Sequence, residues 1–328
     1  MNKNSIIVVT EPEYRKGEPV FSATTKNIKC IPSPEEEHLL ADSVLSEGAK
    51  HVIVGAKKYV GPLYDALPKG GVIARYGVGH DGIDKKKITE HSLYLANTPN
   101  VLNHSVAEIT IALIMMSARH MLDLADSMKK GRWQPLVGSE LKNKTLTIIG
   151  CGAIGNQVAR IASLGLQMRV IGNHLRKIDI ENLKQEYGFD RIIRDFKEAV
   201  NEADFVSIHL PLNESTNLFI NTDRLKLIPN SAWLINTSRG AIIDEIALFH
   251  ALKSRKIAGA ALDVFINEPY EPVDEKYDLR LLHNVILIPH IGSTTNEANR
   301  RMAERCLKNI EFAQKGDYAK MDLVAGPK

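Results

Sequence analysis

The chain alternates short runs of apolar, often β-branched residues with longer segments in which apolar residues recur at helical spacing. In the first hundred residues the short runs are 5–10, 51–56, 72–78 and 93–96, and a helical segment, 34–48, lies between the first two. Strands that alternate with helices are typical of a parallel sheet with helices on its faces. We therefore predict one α/β unit for residues 1–100.

A second series of the same kind starts at residue 145. Its strand candidates are 145–149, 169–172, 204–208, 232–236, 259–263 and 285–288, with helical segments such as 195–202 and 244–253 between them. Six strands separated by helices predict a second, doubly wound parallel sheet.

The segments that join the two series predict how the chain is divided. The breaker cluster Asn97-Thr98-Pro99-Asn100 marks a crossover out of the first unit. A final helical segment, 296–316, is expected to return to that unit. The predicted domains are therefore 1–100 together with 296–328, and 101–295.

A long helix is predicted for residues 105–130, opened by a capping box that starts at Ser105. Its middle, 109–118, is apolar on nearly every face. A helix of this composition is buried all round, so we expect it to lie between domains or between subunits.

The stretch Lys144–Gly155 (KTLTIIGCGAIG) contains the first strand of the second series, turns through three glycines and leads into a helical segment. Gly150 allows a sharp turn, Gly152 leaves no side chain in front of a phosphate, and Gly155 lets the helix pack closely on the strand. Free N–H groups at the start of the helix would face the anion. A second strand, 169–172, follows the helical segment, as a strand–helix–strand unit requires. The pattern therefore predicts a dinucleotide pyrophosphate site rather than an ordinary glycine turn.

Reactive side chains follow the carboxyl ends of the later strands, where ligands bind in open α/β sheets. They are Arg239, Asp263, Glu268 and His290. An arginine matches the planar carboxylate of a 2-oxo acid and can polarise the adjacent carbonyl. A histidine can supply the proton for reduction, and a neighbouring Glu268 would favour the protonated ring and orient it.

Each of these residues has a structural explanation when taken singly, since a histidine after a strand or an Arg-Gly turn is common in proteins without catalytic function. His209 also ends a strand and competes for the role of proton donor. No acid accompanies His209 as Glu268 accompanies His290, so His209 is expected to line the cofactor site instead.

The composition of the chain argues against nucleic-acid-binding, disulfide-rich and membrane proteins. The 328 residues are 44% hydrophobic and 25% charged, with a net charge of +3, which is typical of a globular protein and too mild to indicate nucleic-acid binding. The three cysteines are far apart, so neither a disulfide framework nor a metal site is predicted. No run reaches the ~18 apolar residues of a membrane helix, and no secretory signal is visible, so a cytoplasmic protein is expected.

Seven motifs resemble those of the D-isomer-specific 2-hydroxyacid dehydrogenases, in that family's order and over most of the chain. They are GVGHDGID (77–84), NTPNVLNHSVAE (97–108), GCGAIG (150–155), HLPL (209–212), NTSRGAIIDE (236–245), GAALDVFINEP (259–269) and NVILIPHIGSTT (284–295). The resemblance implies two doubly wound parallel-sheet α/β domains, a Rossmann cofactor domain and a flavodoxin-like substrate domain. It also implies a cleft between them that closes by hinge motion, and a homodimer formed through the cofactor domain.

The resemblance also implies the roles of individual residues. Arg239 would bind the substrate carboxylate and carbonyl, and His290, paired with Glu268, would donate the proton. The backbone amides of Val78 and Gly79 would hold the substrate carboxylate from the first domain. The candidate cofactor contacts are Gly150, Gly152, Ala153, Ile154, Gly155, His174, Arg176, Leu210, Thr237, Ser238, Asp263, Gly292 and Ser293.

One position departs from the family's commonest form. NAD-selective members usually carry an acid just after the second strand, to hold the ribose 2′-hydroxyl. Here His174 stands at that place, Arg176 and Lys177 follow, and the first carboxylate is Asp179. The missing acid and the nearby cations favour the 2′-phosphate of NADP(H), unless Arg176 and Lys177 are merely solvated at the start of a helix.

We therefore predict an NAD(P)-dependent oxidoreductase that interconverts a small 2-oxo acid and the D-2-hydroxy acid. A dinucleotide-sensing binding protein without turnover is the alternative, and phosphite oxidation on the same scaffold is a third possibility. The carboxylates of glyoxylate, hydroxypyruvate, pyruvate and phosphoglycerate-type acids could all be bound by Arg239, so the sequence does not select among these substrates. Arg75 could meet a second anion, but is expected to be solvated at the end of its strand.

Overall fold

The computed structural model describes residues 5–23, 28–174 and 179–327. The strands are β1 (Ser5–Thr10), β2 (Ile28–Ser33), β3 (His51–Val54), β4 (Val72–Arg75), β5 (Tyr94–Ala96), β6 (Thr145–Ile149), β7 (Arg169–Asn173), β8 (Arg191–Ile193), β9 (Phe205–Ile208), β10 (Trp233–Asn236), β11 (Gly259–Leu262), β12 (Val285–Leu287) and β13 (Leu323–Ala325). The α-helices are α1 (Glu11–Lys16), α2 (Glu18–Phe21), α3 (Glu37–Glu47), α4 (Leu63–Ala66), α5 (Lys85–Glu90), α6 (Asn103–Ala118), α7 (Met121–Lys129), α8 (Ala153–Arg160), α9 (Ile180–Tyr187), α10 (Phe196–Val200), α11 (Thr222–Leu227), α12 (Glu245–Lys253) and α13 (Asn296–Gln314).

The chain divides into two compact units. Unit 1 is Met1–Leu102 with Ser293–Lys328, and unit 2 is Asn103–Gly292. The boundaries expected from the sequence, 100 and 296, lie within a few residues of these. In unit 1, α13 packs against β4 and α2.

Unit 1 is built on a sheet whose strand order, over the described residues, is β13-β5-β4-β3-β1-β2. All neighbours pair in parallel except β13, which runs antiparallel to β5. Strands β3 and β4 are buried along their whole length, as expected for a parallel sheet covered by helices on both faces.

Unit 2 is built on a parallel sheet with the order β12-β11-β10-β9-β6-β7-β8 over the described residues. The order reverses at β6, so that the crevice at the carboxyl ends of β6 and β9 is the topological switch point where a dinucleotide binds in this kind of fold. The prediction of two α/β units with doubly wound parallel sheets is confirmed.

The sequence patterns missed three strands, β2, β8 and β13. All three lie towards the edges of the sheets. Edge strands are short or polar and pair on one side only, so their sequences carry little of the apolar signal of a central strand. Pro32 in β2 is typical of such an edge.

The prediction of one unbroken helix over 105–130 was wrong. The helix bends by 67° between α6 and α7, where His120 adopts a left-handed backbone conformation with φ of 50°. No single helix in the described residues is long and apolar enough to cross a membrane, although α6 and α7 would pass that test of length and composition as a bent pair.

His51, in β3, predicts a pH dependence of folding. It is 5% exposed, and its Nδ1 accepts a hydrogen bond from the Val72 amide at 3.2 Å. Burial, with the charge of Lys50, lowers the pKa of the His51 imidazole to about 4. Between an unfolded pKa of about 6.5 and this folded value, the unfolded chain binds the proton and the folded protein does not.

Stability from His51 is therefore fully present above about pH 6.5 and is lost as the pH falls towards 4, at roughly 1.4 kcal/mol per pH unit. We expect His51→Val to reduce the fall in the free energy of unfolding between pH 7 and pH 5 by about 2 kcal/mol. Urea denaturation at the two pH values measures this. The same change at exposed His38, on α3, is the control, and an equal pH dependence in wild type and His51→Val would contradict the prediction.

Candidate active site

The glycine loop between β6 and α8 requires glycine at two positions. Gly150 has φ of +102°, and a Cβ there would lie 2.6 Å from the carbonyl oxygen of His209. A Cβ on Gly155 would lie 2.3 Å from the carbonyl oxygen of Gly150. Both distances are far below van der Waals contact, so the loop and the first turn of α8 close up only around glycine.

The start of α8 fits the pyrophosphate of a dinucleotide. Gly152 is the N-cap of α8, and no side chain of the described residues caps it. A Cβ on Gly152 would meet nothing within 4 Å, and Ala153 is exposed while Ile154 is half-buried. The start of the helix therefore lies beside open space, and an uncapped helix N-terminus with such space is suited to bind phosphate.

The carboxyl end of β7 carries Asn173 and His174 in place of an acid. The Asn173 amide donates to the carbonyls of Ile193 and Arg194, at 2.9 and 3.0 Å, and is thereby held towards β8. His174 follows as a half-buried residue.

The other residues of the predicted cofactor-selecting segment are less informative. Arg176 and Lys177 lie outside the described residues. Asp179, the first carboxylate after β7, is the N-cap of α9 and accepts the Asn182 amide at 3.1 Å. The side chain of Asp179 therefore acts as a helix cap.

The loop that carries Arg239 is shaped by Asn236, the last residue of β10. Asn236 is fully buried; its Oδ1 accepts from the amide and hydroxyl of Ser238, at 3.0 and 2.8 Å, and its Nδ2 donates to the Arg239 carbonyl at 2.9 Å. The Arg239 guanidinium donates to the Ser238 carbonyl at 2.7 Å. One buried amide side chain thus determines the path of residues 237–239.

The Arg239 loop lies directly against the loop that carries Glu268. A Cβ on Gly240 would lie 2.0 Å from the carbonyl carbon of Phe265, so only glycine permits this approach. The amide of Phe265 donates to Oε1 of Glu268 at 3.0 Å, which orients the carboxylate.

His290 and Glu268 form a pair. Nδ1 of His290 lies 2.6 Å from Oε2 of Glu268, and about a third of each side chain is exposed. Burial raises the pKa of the Glu268 carboxyl, but the hydrogen bond and charge of His290, the Phe265 amide and the charge of Arg239 outweigh it and lower that pKa. The carboxylate is therefore ionised at neutral pH and can hold a proton on the facing nitrogen of His290.

Asp263, fully buried at the end of β11, holds the backbone that follows His290. Its two carboxylate oxygens accept from the amides of Ile291, at 2.7 Å, and Gly292, at 2.9 Å. Burial raises the pKa of Asp263, more than these bonds and the nearby His290 lower it. His290 itself has φ of 50°, an uncommon conformation for a non-glycine residue that persists only where the surroundings hold it.

His209 is not placed as an acid–base residue. Its Nε2 lies 2.8 Å from the hydroxyl of Ser207, and burial lowers its pKa to about 3. The ring is therefore neutral at working pH. His209 and Leu210 stand at the carboxyl end of β9, beside the turn of Gly150.

In unit 1, the residues predicted to hold the substrate carboxylate lie in the loop after β4. The Asn97 side-chain amide donates to the Val78 carbonyl at 2.8 Å, and the Thr98 amide donates to the Gly77 carbonyl at 3.1 Å. Val78 and Gly79 are half-buried. In a trans peptide the N–H points away from the preceding carbonyl. Because the Gly77 and Val78 carbonyls face Thr98 and Asn97, the amides of Val78 and Gly79 point in the opposite direction.

The expectation that Arg75 is solvated was wrong. Arg75 is only 8% exposed, and its guanidinium donates to the Tyr76 carbonyl. The arginine therefore folds back onto the start of the loop that carries Val78 and Gly79, and is part of that loop's support.

The structure brings most of the predicted residues together at the carboxyl edge of the unit 2 sheet. Arg239, Asp263, Glu268 and His290 are joined there by the contacts above, and Thr237, Ser238 and Gly292 lie in the same loops. Val78, Gly79 and Ser293 belong to unit 1.

Three residues of this region were missed as positioning residues. Asn236 has a weak signal, because Asn-x-Ser after a strand is typical of a side-chain-stabilised turn. Ser105 and Thr110, both in α6, contact the loops that carry His290 and Arg239. Their contacts span more than a hundred residues of sequence, so no local pattern could have revealed them.

Comparisons with known proteins agree with this geometry. A family model described as "D-isomer specific 2-hydroxyacid dehydrogenase, NAD binding domain" matches residues 111–292. The protein belongs to the D-isomer-specific 2-hydroxyacid dehydrogenase family, whose members are NAD(P)-dependent oxidoreductases.

Individual relatives cover most of the chain. A glyoxylate reductase of Thermococcus litoralis is 41% identical over 265 residues, which are 78% of this chain and 77% of that protein. A glyoxylate reductase of Korarchaeum cryptofilum is 37% identical over 78% of this chain and 76% of its own. The solved structure of an NADPH-dependent glyoxylate/hydroxypyruvate reductase from Sinorhizobium meliloti, with NADP and malonate, superimposes with a TM-score of 0.78 at 26% identity, covering 94% of this chain and 93% of that one.

Proposed function

We propose that the protein reduces glyoxylate and related small 2-oxo acids to 2-hydroxy acids, in the D configuration where the product is chiral. The observation that carries this proposal is the pairing of His290 Nδ1 with Glu268 Oε2 at 2.6 Å, close enough to Arg239 for its charge to lower the pKa of Glu268. The two curated relatives described above are glyoxylate reductases, which supports glyoxylate as the first substrate to test.

The proposed chemistry assigns one task to each residue. The nicotinamide dinucleotide supplies the hydride. Arg239 binds the substrate carboxylate with its planar fork and polarises the carbonyl. His290, protonated on Nε2 and held through Nδ1 by ionised Glu268, gives that proton to the carbonyl oxygen as general acid.

The substrate carboxylate is proposed to bind also to the backbone amides of Val78 and Gly79. Two features of unit 1 support this. The Gly77 and Val78 carbonyls are engaged by Thr98 and Asn97, and the buried Arg75 braces the turn before them.

NADP(H) is proposed as the preferred cofactor. His174 stands where an acid would repel a 2′-phosphate, and the first following carboxylate, Asp179, is engaged as a helix cap. The Sinorhizobium meliloti reductase with the same fold was solved with NADP.

The test is a panel of glyoxylate, hydroxypyruvate, pyruvate and 3-phosphohydroxypyruvate, each assayed with NADH and with NADPH by loss of absorbance at the reduced-cofactor band. We expect glyoxylate or hydroxypyruvate to give the highest kcat/KM, with NADPH favoured over NADH. A tenfold or greater preference for NADH would refute the cofactor proposal. Cofactor binding without turnover of any acid would instead favour a dinucleotide-sensing protein.

The protein is also proposed to form a homodimer through unit 2. Apolar side chains are exposed along α7 and the irregular segment after it, with Trp133 83% and Val137 96% exposed and Met121, Leu122, Met128 and Leu136 about half exposed. A concentration of exposed apolar side chains along one segment is typical of an interface, and a second copy of the same segment would cover it symmetrically.

Trp133→Glu is expected to convert the dimer into a monomer, because it places a charge at the most exposed aromatic ring of the patch. Light scattering after size exclusion should give about 73 kDa, twice the 36.4 kDa of the chain, for wild type and half of that for the variant. Leu281→Glu, at an apolar residue 69% exposed outside the patch, is the control and should remain dimeric. A monomeric wild-type protein would refute the proposal.

A further inference from the structure

Two hydroxyl groups on α6 contact the loops of the active site. Ser105 Oγ donates to the Gly292 carbonyl at 2.8 Å, and Gly292 is two residues after His290. Thr110 Oγ1 lies 2.9 Å from the Thr237 hydroxyl, and Thr237 is two residues before Arg239. Both α6 hydroxyl residues are buried, Ser105 at 5% and Thr110 at 0% exposure.

The direction of the Thr110 contact follows from proton counting. Thr110 Oγ1 donates to the Val106 carbonyl at 2.7 Å, and a hydroxyl has one proton to give. The Thr237 hydroxyl must therefore be the donor to Thr110. The three groups form a chain in which the helix backbone determines the orientation of Thr237.

Gly292 is held from both sides. Asp263 accepts its amide at 2.9 Å, and Ser105 donates to its carbonyl at 2.8 Å. Gly292 is also the last residue of unit 2, and α6 begins at the first, Asn103. The Ser105 bond therefore ties the point where the chain enters the unit to the point where it leaves, within two residues of His290.

We propose that α6 positions both sides of the catalytic set: Ser105 acts on His290 through Gly292, and Thr110 acts on Arg239 through Thr237. This rests on the proposed function, in which His290 gives the proton and Arg239 binds the substrate. Ser105 and Thr110 touch neither substrate nor cofactor in this proposal and are positioning residues. Small displacements of reacting groups lower the rate strongly. Loss of the Ser105 bond should therefore affect His290, and loss of the Thr110 bond should affect Arg239.

The two bonds are expected to affect different constants. Ser105→Ala leaves the Gly292 carbonyl without its donor and loosens His290, so kcat should fall about tenfold with the KM for glyoxylate nearly unchanged. Thr110→Val removes the acceptor of Thr237 and loosens the Arg239 loop, so the KM should rise about tenfold. Thr110→Ser retains the hydroxyl and should restore the wild-type KM.

The matched control is Ser117→Ala. Ser117 is buried on the same helix, and its hydroxyl donates to the Ile114 carbonyl within α6 at 2.9 Å. It should leave both constants unchanged. Thermal unfolding of every variant establishes that it is folded, and Ser105→Cys, a weaker donor of similar size, provides a second variant with an intermediate kcat.

A double-mutant cycle separates positioning from general stability. If Ser105 acts through His290, adding Ser105→Ala to His290→Ala should lower kcat no further. An additive loss, or equal changes of kcat and KM in Ser105→Ala and Thr110→Val, would overturn the inference. Failure of the proposed function is distinguishable, because then His290→Ala alone would retain near-normal turnover.

Discussion

His290→Ala should lower kcat for glyoxylate by about a thousandfold, in line with the loss of a general acid. The reason is geometric: Glu268 holds Nδ1 of the ring at 2.6 Å, and Asp263 fixes the two amides that follow. Steady-state kinetics with saturating NADPH measures the loss, and fluorescence titration should show NADPH affinity within about twofold of wild type.

His283→Ala is the matched control for that change. His283 is exposed in the segment just before β12, so its loss should leave kcat unaltered. Glu268→Gln keeps the shape of the pair but removes the charge that holds the proton, and should give an intermediate kcat. Near-normal turnover of His290→Ala would show that the proton comes from elsewhere.

Arg239→Gln should lower kcat/KM by about a thousandfold. Two charge-assisted hydrogen bonds from the guanidinium to a carboxylate are worth roughly 4 kcal/mol together, and each 1.36 kcal/mol corresponds to a factor of ten. Most of the loss should be seen in the KM for the 2-oxo acid. Arg239→Lys keeps the charge without the planar fork and should recover only part of the activity.

Arg255→Gln is the control for the arginine. Arg255 is exposed in the turn after α12, at the amino edge of the sheet, and its replacement should change neither constant. If Arg239→Gln raised the KM less than tenfold, the anchoring of the carboxylate would have to be assigned to another group.

The central features of the fold could be predicted from the sequence because they are local. Buried parallel strands such as β6 (TLTII) and β9 (FVSI) are dominated by apolar and β-branched residues, and a glycine at 150 or 155 marks a place where a Cβ does not fit. The edge strands β2, β8 and β13 could not be predicted in the same way, since each pairs on one side only and is short or interrupted by polar residues and proline.

Ser105 shows the limit of local patterns most clearly. The capping-box pattern predicts it as the first cap of a helix, but α6 begins two residues earlier, at Asn103. The Ser105 hydroxyl instead donates to Gly292, a residue 187 positions away. A serine that caps a helix and a serine that bonds to a distant loop can stand in the same local sequence, and only the packed structure distinguishes them.

Asp263 is a second example. The family resemblance implies that it lies near the nicotinamide, and that stays a prediction. In the structure both of its carboxylate oxygens are engaged by the backbone after His290, which explains why a charged residue is retained at 0% exposure.

Strand periodicity, glycine spacing and the order of motifs can all be read along the chain, so they predict the class of fold, the dinucleotide loop and the candidate residues Arg239, Glu268 and His290. How those side chains are held depends on packing: Glu268 contacts His290, Asn236 supports the Arg239 loop, and Ser105 and Asp263 bind Gly292 from either side. These are hydrogen bonds between residues far apart in sequence, and their geometry exists only once the strands and α6 have packed.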